Sequence, residues 1–442
     1  MNERNGFSGK TGFILAAAGA SVGLGNLWRF PYLAAQYGGG LFVCIYILLV
    51  ITVGSVLLTT EITLGRHTQC DVLDCYRTLD KRFTFIGVMG LIVPLLVACS
   101  YSVVGGWIIK YLLMYAAGLG KSLSDGAYFS AYTARSAEPL IYHAVFVLLA
   151  FLILLSGVKN GIEKSNKILM PLLLLLSVLI SVRVLLLPGG MDGVKFYLVP
   201  DFSHFSLKTL LAAIGQMFYS LSIAMGVMIT YGSYLNRSVE IPQSVKMTEI
   251  FDTVIALLGG LMIVPAVYSF SGGNRDAISA GPGLLFETLP KIFHQMSFGD
   301  IFGALFFLLI LFAALTSMIS LMEVLVAFFI DKLGLKRTAS AVLTSFIVFA
   351  AGIPCSLGFG LWKNVTIFGM GIFDFVDYAA NSFLMPLIAV ATCIFVGYFL
   401  GTNVIFREAE LSAPFRHKKF YSVMIRYIVP VCVGAVWIST VF

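Results

Sequence analysis

Eleven apolar stretches, each long enough to cross a bilayer, dominate this sequence. A helix needs about 20 apolar residues to span the hydrocarbon core, and such runs recur along nearly all of the 442 residues. We number them spans 1 to 11, near residues 12–34, 41–65, 84–118, 140–157, 166–187, 208–235, 249–271, 300–330, 339–357, 365–400 and 421–441. Charged residues make up only 12% of the chain, about half the share of soluble proteins. The sequence therefore predicts an all-α polytopic membrane protein.

Lysines and arginines are distributed unevenly between alternate connections. If the N-terminus is inside, eighteen of the 29 lie on the inside, eight outside and three within spans. Positive residues concentrate on the cytoplasmic side of membrane proteins. We therefore expect a multi-pass plasma-membrane protein with its N-terminus in the cytoplasm and, because the span count is odd, its C-terminus outside. The net charge of +7 then reflects topology, and no nucleic-acid partner is expected.

Residue patterns typical of enzymes and metal centres do not occur in the sequence. The seven cysteines and five histidines are scattered without metal-ligand spacing. Cys70 and Cys75 fall in an expected cytoplasmic loop, where disulfides are disfavoured. There is no glycine-rich phosphate loop, Ser/His/Asp set or paired-carboxylate pattern. We therefore expect no enzymatic activity.

Span 1 contains an interruption, the segment Gly19–Pro31, which reads GASVGLGNLWRFP. Gly19, Gly23 and Gly25 lower the cost of leaving the helix, and Arg29 is an expensive residue at membrane depth. Non-helical backbone is tolerated there only where it is buried in protein or lines a cavity. Span 1 is therefore predicted to open in mid-membrane and to present backbone groups to a small solute, as transporters do.

Span 6 carries a second interruption, the sequence SLSIAMG from Ser220 to Gly226. Its hydroxyl and small residues favour an opened helix with inward-facing carbonyls, although small residues also mark close helix contacts. Spans 1 and 6 occupy corresponding positions in two five-span halves, and paired interruptions of this kind indicate the binding site of an inverted-repeat transporter. We expect one domain over 1–442, with repeats at about 8–187 and 205–401 and an extra helix at about 421–441.

Other polar residues within the spans have two explanations that the residues alone leave open. Thr316 and Ser317 in span 8 either bond back to their own helix backbone or supply hydroxyl oxygens to a small cation. Tyr101 in span 3 needs a partner for its phenol, which is either a backbone group or a ligand.

These segments together resemble the neurotransmitter:sodium symporter family, in particular its bacterial amino-acid transporters with the LeuT fold. The resemblance covers nearly the whole chain and rests first on VGLG followed by NLWRFPY in span 1. Supporting matches are GGG at 38–40, Glu61 with Gly65-Arg66, GQMFYSLS in span 6, TYGSY at 230–234, LTS at 315–317 and RYIVP at 426–430. It implies a 5+5 inverted repeat with helices 1 and 6 broken and eleven transmembrane helices.

The resemblance implies a symporter that couples sodium flow to amino-acid uptake by alternating access within the lipid bilayer. Amine transporters of the family carry Asp where this chain has Gly23, so we expect a substrate with its own carboxylate. Met225 stands where the leucine transporter has Phe, and its flexible thioether favours apolar, in particular aromatic, L-amino acids. The alternative is a non-transporting receptor or scaffold with the same fold. Such proteins tend to lose ion ligands, which this sequence keeps.

Two sodium ions are implied at matched positions. One site uses the carbonyls of Gly19, Val22 and Ala313 and the hydroxyls of Thr316 and Ser317. The other uses the Ser21 carbonyl, the Asn26 side chain, Ser220 and a residue of span 7, for which Asp252 is the acidic candidate. A fixed carboxylate there would offset the sodium charge and make uptake chloride-independent. The alternative is that Asp252 lies at the cytoplasmic end of its helix.

The substrate site implied by the resemblance lies between the two interruptions. Its expected lining is Ala20, Gly23, Leu24, Gly25, Val97, Tyr101, Tyr219, Ser220, Ser222, Met225, Ser317 and Leu321. Arg29 is expected to pair with Asp377 as an outer gate, and Arg4 with Asp331 as an inner latch. Gly161 and Pro171 either let the start of span 5 unwind or form an ordinary proline kink.

Overall fold

The computed structural model describes residues 6–271 and 281–441, and this part of the chain is almost entirely helical. Nine of its helices are continuous, long and apolar enough to cross a membrane. They are Gly40–Thr68, Lys81–Ala116, Ala137–Leu155, Val158–Leu185, Ile241–Phe270, Gly299–Leu333, Arg337–Leu357, Ile372–Leu400 and Lys418–Thr440. They correspond in order to spans 2–5 and 7–11, so those predicted spans are confirmed as helices.

Span 1 is a broken helix. Its two halves, Lys10–Ser21 and Gly25–Gln36, are bent by 54° relative to each other. The backbone is extended at Val22, with ψ of 108°, and the second half begins with a π-helical turn at Gly25–Arg29. The predicted interruption in span 1 is therefore confirmed.

Span 6 is broken in the same way. Its halves are Leu207–Ser220 and Val227–Ser233, and residues 221–226 between them are not helical. Ser222 and Ala224 have positive φ angles of 52° and 62°, a region that is sterically unfavourable for residues with a side chain. Such backbone persists only where its surroundings hold it in place. Within residues 6–271 and 281–441, nine continuous helices and the bent pair of span 1 are long and apolar enough to cross a membrane, and the two half-helices of span 6 stand at the remaining predicted position.

Short elements connect the spans. The helices among them are Val72–Leu79, Gly120–Leu123, Tyr128–Thr133, Gly190–Leu198, Leu284–Thr288, Leu289–Gln295 and Thr402–Ala409, with a 3₁₀ turn at Phe202–His204. A small antiparallel hairpin pairs Thr366–Ile367 with Met370–Gly371. One isolated bridge joins Gly39 to Pro200.

Span 8 lies at the centre of the bundle. Its apolar window is 83% buried, against 33% for spans 4 and 5 and 22% for span 11. It packs along span 3 and also contacts spans 1 and 5. Peripheral spans carry exposed apolar side chains such as Leu175 and Val431, as expected where a protein faces lipid. The two breaks are therefore enclosed at the middle of the bundle.

Candidate substrate and ion site

A small cavity lies between the two broken helices. Its lining comes from spans 1, 3, 6 and 8 and consists of Ala20, Ser21, Gly23, Leu24, Gly25, Asn26, Val97, Tyr101, Tyr219, Ser222, Met225, Val227, Ser317 and Leu321. The structure thus brings eleven of the twelve expected lining residues together; the twelfth, Ser220, lies beside Asp252. The other three lining residues are Ser21 and Asn26, which were expected only as sodium ligands, and Val227, which sequence reasoning missed. None of these described lining residues is acidic or basic.

One pole of the cavity is polar. The backbone N–H of Leu24 donates to the Tyr101 hydroxyl at 2.9 Å, so the hydroxyl proton remains free to donate to another acceptor. A Cβ on Gly23 would lie 2.8 Å from both the Tyr101 hydroxyl and Ser317 Oγ. A larger side chain, including the Asp of amine transporters, therefore does not fit at Gly23 without displacing these groups. This pole offers hydrogen-bond donors at a helix start, which suits a carboxylate.

The opposite pole is apolar. Val97, Met225 and Leu321 are buried there. The Tyr219 ring instead packs against Gly25, so closely that a Cβ on that glycine would overlap it. An unbranched thioether adapts to ligands of different shape. The cavity therefore combines a fixed polar end with an adaptable apolar end.

A first group of oxygens, which we call the span 8 cluster, joins the first break to span 8. It consists of the carbonyls of Gly19, Val22 and Ala313 and the hydroxyls of Thr316 and Ser317. Ser317 Oγ lies 3.0 Å from the Val22 oxygen and 3.5 Å from the Gly19 oxygen. Thr316 Oγ1 lies 3.0 Å from the Ala313 oxygen. All five residues are buried. The Ser317 hydroxyl joins span 8 to the first break, whereas the Thr316 hydroxyl bonds back to its own helix, at the carbonyls of Phe312 and Ala313, with its Cβ close to Gly19.

A second group, the span 7 cluster, is built around Asp252. Asn26 Nδ2 donates to Asp252 Oδ1 at 2.8 Å, and the Ser220 hydroxyl lies 2.9 Å from both carboxylate oxygens. Asp252 is fully buried and lies well inside the helix Ile241–Phe270, not at its end. Ser21 lines the adjoining cavity. These four residues of the second expected set are therefore neighbours.

Tyr46 is a member of the span 7 cluster that sequence reasoning missed. Its hydroxyl donates to Asp252 Oδ2 at 2.9 Å and lies 3.0 Å from Ser220 Oγ. The side chain is fully buried in span 2. A tyrosine inside an apolar span needs a hydrogen-bond partner, and a carboxylate at membrane depth needs donors. These two requirements, considered together, are the sequence signal that could have paired Tyr46 with Asp252.

The expected outer gate pair is not in direct contact in this structure. Arg29 and Asp377 both lie in the described part of the chain, and no ion pair joins them there. The Arg29 guanidinium lies 5.2 Å from the centre of the Tyr219 ring, above the cavity. Asp377 accepts a hydrogen bond from Asn381 Nδ2 at 2.7 Å. The two gate residues thus face the same opening with their charges separated.

The expected inner latch is described only in part. Arg4 lies outside the described residues. Asp331 Oδ2 accepts a hydrogen bond from the backbone N–H of Asp71 at 2.8 Å. Phe7 is buried, and its ring makes edge contacts with Phe13 and Tyr231, with centroids 5.6 and 5.4 Å apart. This aromatic cluster covers the side of the site opposite Arg29.

A buried ion pair near Phe7 was also missed. Arg337 Nη2 lies 2.7 Å from Glu323 Oε2, and the Tyr234 hydroxyl donates to Glu323 Oε1 at 2.8 Å. Glu323 is fully buried in span 8. The group connects spans 6, 8 and 9 on the same side as Phe7, so several contacts hold this side closed.

Two further features bear on the breaks. Glu61, part of the matched sequence in span 2, accepts a hydrogen bond from the Ala224 N–H at 2.7 Å and thereby holds the strained turn of span 6.

Span 5 starts with a π-helical turn at Val158–Glu163 and continues as a regular helix through Pro171. The start of span 5 is therefore wound in this structure, although with an irregular turn.

Two discontinuous helices around an uncharged mid-bundle cavity, flanked by two buried oxygen clusters, define a secondary transporter of small solutes. Discontinuous spans of this type place ion and substrate sites near the bilayer midplane. The comparisons with known proteins agree with this class. A family model described as the sodium:neurotransmitter symporter family matches residues 4–120 and 137–442, and the chain belongs to that family.

Individual relatives support the same assignment. The chain is 36% identical to YhdH of Bacillus subtilis (strain 168), an uncharacterized sodium-dependent transporter, over 98% of this chain and 97% of the relative. It is 26% identical to the sodium- and chloride-dependent taurine transporter of Homo sapiens, over 99% of this chain and 78% of the relative. The crystal structure of MhsT in complex with L-phenylalanine superposes with a TM-score of 0.89 at 37% identity, covering 99% of this chain and 100% of that one. The predicted family and LeuT fold are confirmed, and the chain is a multi-pass, sodium-dependent transporter.

Proposed function

We propose that this protein imports apolar L-amino acids, including aromatic ones, by coupling their uptake to inward sodium flow without a need for chloride. The observation that carries the proposal is the position of the uncharged cavity between the two oxygen clusters. A free amino acid brings one positive and one negative charge. A site without charged side chains therefore matches the whole zwitterion better than an amine or an acid alone.

The carboxylate of the substrate binds at the polar pole. The Tyr101 hydroxyl, which accepts from Leu24, donates to it, and the amides near Gly25 add the positive end of a helix. The side chain of the substrate extends toward Val97, Met225 and Leu321. MhsT was crystallised with L-phenylalanine, which is consistent with an aromatic side chain at this end.

Two sodium ions bind in the oxygen clusters. The span 8 cluster supplies three carbonyls and two hydroxyls, which are hard neutral ligands suited to a small cation. The span 7 cluster supplies Asn26, Ser220, the Ser21 carbonyl and the Asp252 carboxylate. Because Asn26 also lines the cavity, an ion held there lies next to the substrate carboxylate. Each ligand then improves binding of the other, which is the reciprocal coupling that a symporter needs.

Asp252 makes chloride unnecessary. Sodium and substrate bind in a low-dielectric interior, where an extra positive charge is costly unless a negative charge lies nearby. The taurine transporter of Homo sapiens is named sodium- and chloride-dependent. In this chain the buried carboxylate of Asp252 supplies a permanent negative charge beside Asn26.

The gates and the orientation complete the cycle. Arg29 and Asp377 close the outer side over Tyr219 when substrate is bound, and Arg4 with Asp331 holds the inner side with Phe7. The two repeats extend over about 8–187 and 205–401, with an additional helix at about 421–441. The N-terminus lies in the cytoplasm of a cell bounded by this plasma membrane, and the C-terminus lies outside.

A binding screen tests the proposal. Purified protein is heated with each of the twenty amino acids in sodium buffer and in potassium buffer, and the unfolding temperature is recorded. We expect Phe, Leu, Trp and Tyr to raise the unfolding temperature in sodium only, and Gly, Asp and Lys to have little effect. Stabilisation by an amino acid in potassium equal to that in sodium would overturn the coupling. Sodium-dependent binding without accumulation in vesicles would favour the receptor alternative.

A further inference from the structure

Span 5 contributes a buried amide whose oxygen has no hydrogen-bond partner. Asn166 is fully buried, and its Nδ2 donates to the Ile162 carbonyl at 2.8 Å. Within the described part of the chain, its Oδ1 accepts no hydrogen bond. Buried polar atoms are normally paired, so an orphaned oxygen at 0% exposure points to a ligand.

This oxygen lies at the span 8 cluster. A Cβ built on Gly19 would overlap Asn166 Oδ1 and would lie 3.3 Å from Thr316 Cβ. The side chains of Asn166 and Thr316 therefore both lie next to Gly19, where spans 1, 5 and 8 pack together. The Gly19 carbonyl and the Thr316 hydroxyl are two of the five oxygens in that cluster. The amide oxygen of Asn166 thus lies beside this cluster, to which span 5 contributes no other oxygen.

An amide oxygen is the same kind of hard, uncharged ligand as the carbonyls and hydroxyls already present. A residue needed only for packing at Asn166 would not carry an oxygen that lacks a donor, because an apolar side chain would fill the space without that cost. We propose that Asn166 Oδ1 is an additional ligand oxygen of the sodium site in the span 8 cluster. This inference rests on the proposed sodium coupling.

The position of Asn166 in the chain gives this ligand a second consequence. It lies between Gly161 and Pro171, just after the π-helical turn Val158–Glu163. A Cβ on Gly161 would overlap the Ile153 carbonyl, so this turn is closely packed. An unwinding that carried Asn166 away from the cluster would lower the affinity for sodium. Movement of span 5 is then directly linked to ion release, since an ion favours the conformation that binds it better.

A sodium titration without amino acid tests the inference. The unfolding temperature of detergent-purified protein is measured against sodium chloride concentration, with choline chloride keeping the ionic strength constant. Asn166→Ala is expected to raise the sodium concentration for half-maximal stabilisation about tenfold, equivalent to about 1.4 kcal/mol. Asn166→Asp, which keeps an oxygen and adds a charge, is expected to need no more sodium than the wild type.

Ser177→Ala is the matched control. Ser177 lies on the same helix, is fully buried and donates to a carbonyl one turn earlier, that of Leu173, at 2.8 Å. It is expected to leave the sodium titration unchanged. Combining Asn166→Ala with Thr316→Ala is expected to give less than the sum of the separate losses, because both act on one ion.

The outcomes separate this inference from the proposed function. If sodium does not stabilise the wild type at all, the sodium coupling itself is wrong. If sodium stabilises the wild type and Asn166→Ala gives the same titration, Asn166 is not a ligand. The inference is equally overturned if Asn166→Asp weakens sodium binding as much as Asn166→Ala. The Asp variant provides this test even if the Ala variant does not fold.

Discussion

Replacement of Asp252 by Asn removes one charge from the span 7 cluster and changes little else. Three donors face the carboxylate, namely Asn26 Nδ2, the Ser220 hydroxyl and the Tyr46 hydroxyl. The two hydroxyls can rotate to accept from the new amide, while Asn26 Nδ2 donates to its oxygen and Asn26 Oδ1 keeps the hydrogen bond from the Gly23 N–H, so an Asn side chain at position 252 can be accommodated. The main loss is therefore the attraction between the carboxylate and a sodium ion.

The size of that loss follows from the geometry. An ion ligated by the Ser220 hydroxyl oxygen, which lies 2.9 Å from both carboxylate oxygens, would be about 4 Å from the charge. At an effective dielectric constant near 20, such a pair is worth about 4 kcal/mol. Relaxation of the surrounding groups reduces this loss to about 3 kcal/mol. Asp252→Asn is therefore expected to raise the sodium concentration needed for binding about a hundredfold.

The assay is sodium-dependent amino-acid binding in chloride and in gluconate. The wild type is expected to bind equally in both, whereas Asp252→Asn is expected to bind weakly in gluconate and to recover in part with chloride, which supplies the missing charge. Asp192→Asn, at a side chain that is 68% exposed, is the control and should behave as the wild type. An unchanged sodium requirement in Asp252→Asn, or strict chloride dependence of the wild type, would refute the charge argument.

Three further changes probe other parts of the site. Replacing both Thr316 and Ser317 by Ala removes two of the five oxygens in the span 8 cluster, so substrate binding at moderate sodium should fall at least tenfold; binding that stays unchanged would remove the ion from that cluster. Met225→Phe narrows the apolar pole, so competition assays should shift from aromatic toward aliphatic amino acids; a shift toward aromatic ones would contradict the proposed lining. Arg29→Ala and Asp377→Ala should be strongly non-additive in a double-mutant cycle on uptake, whereas additive losses would mean that they act separately.

Sequence reasoning located the spans and their interruptions because those features depend on local chemistry. A run of about twenty apolar residues has one stable form in a bilayer, and the described residues have membrane-length helices at ten of the expected spans and two half-helices at span 6. Span 10 starts later than expected, at Ile372, because a hairpin occupies residues 366–371. The glycines around Gly23 marked the first break, and SLSIAMG marked the second. These patterns can be recognised in the sequence without knowledge of tertiary contacts.

Contacts between distant side chains were harder to predict. Tyr46 and Asp252, or Glu323 and Tyr234, are joined only by the packing of separate helices, and no sequence spacing relates them. The unpaired oxygen of Asn166 could not be predicted from the sequence either, because only the packing of spans 1 and 5 places it beside Gly19. The expected Arg29–Asp377 contact depends on whether the outer side is closed, which a sequence motif does not specify.

The most direct test of the central claim is uptake by purified protein in sealed proteoliposomes. Radiolabelled L-phenylalanine is offered outside in chloride-free buffer, with an inward sodium gradient or with potassium on both sides. The proposed function predicts transient accumulation above equilibrium with the sodium gradient, and loss of that accumulation when an ionophore dissipates the gradient. Equal uptake in potassium, or binding without accumulation, would contradict sodium-coupled amino-acid transport.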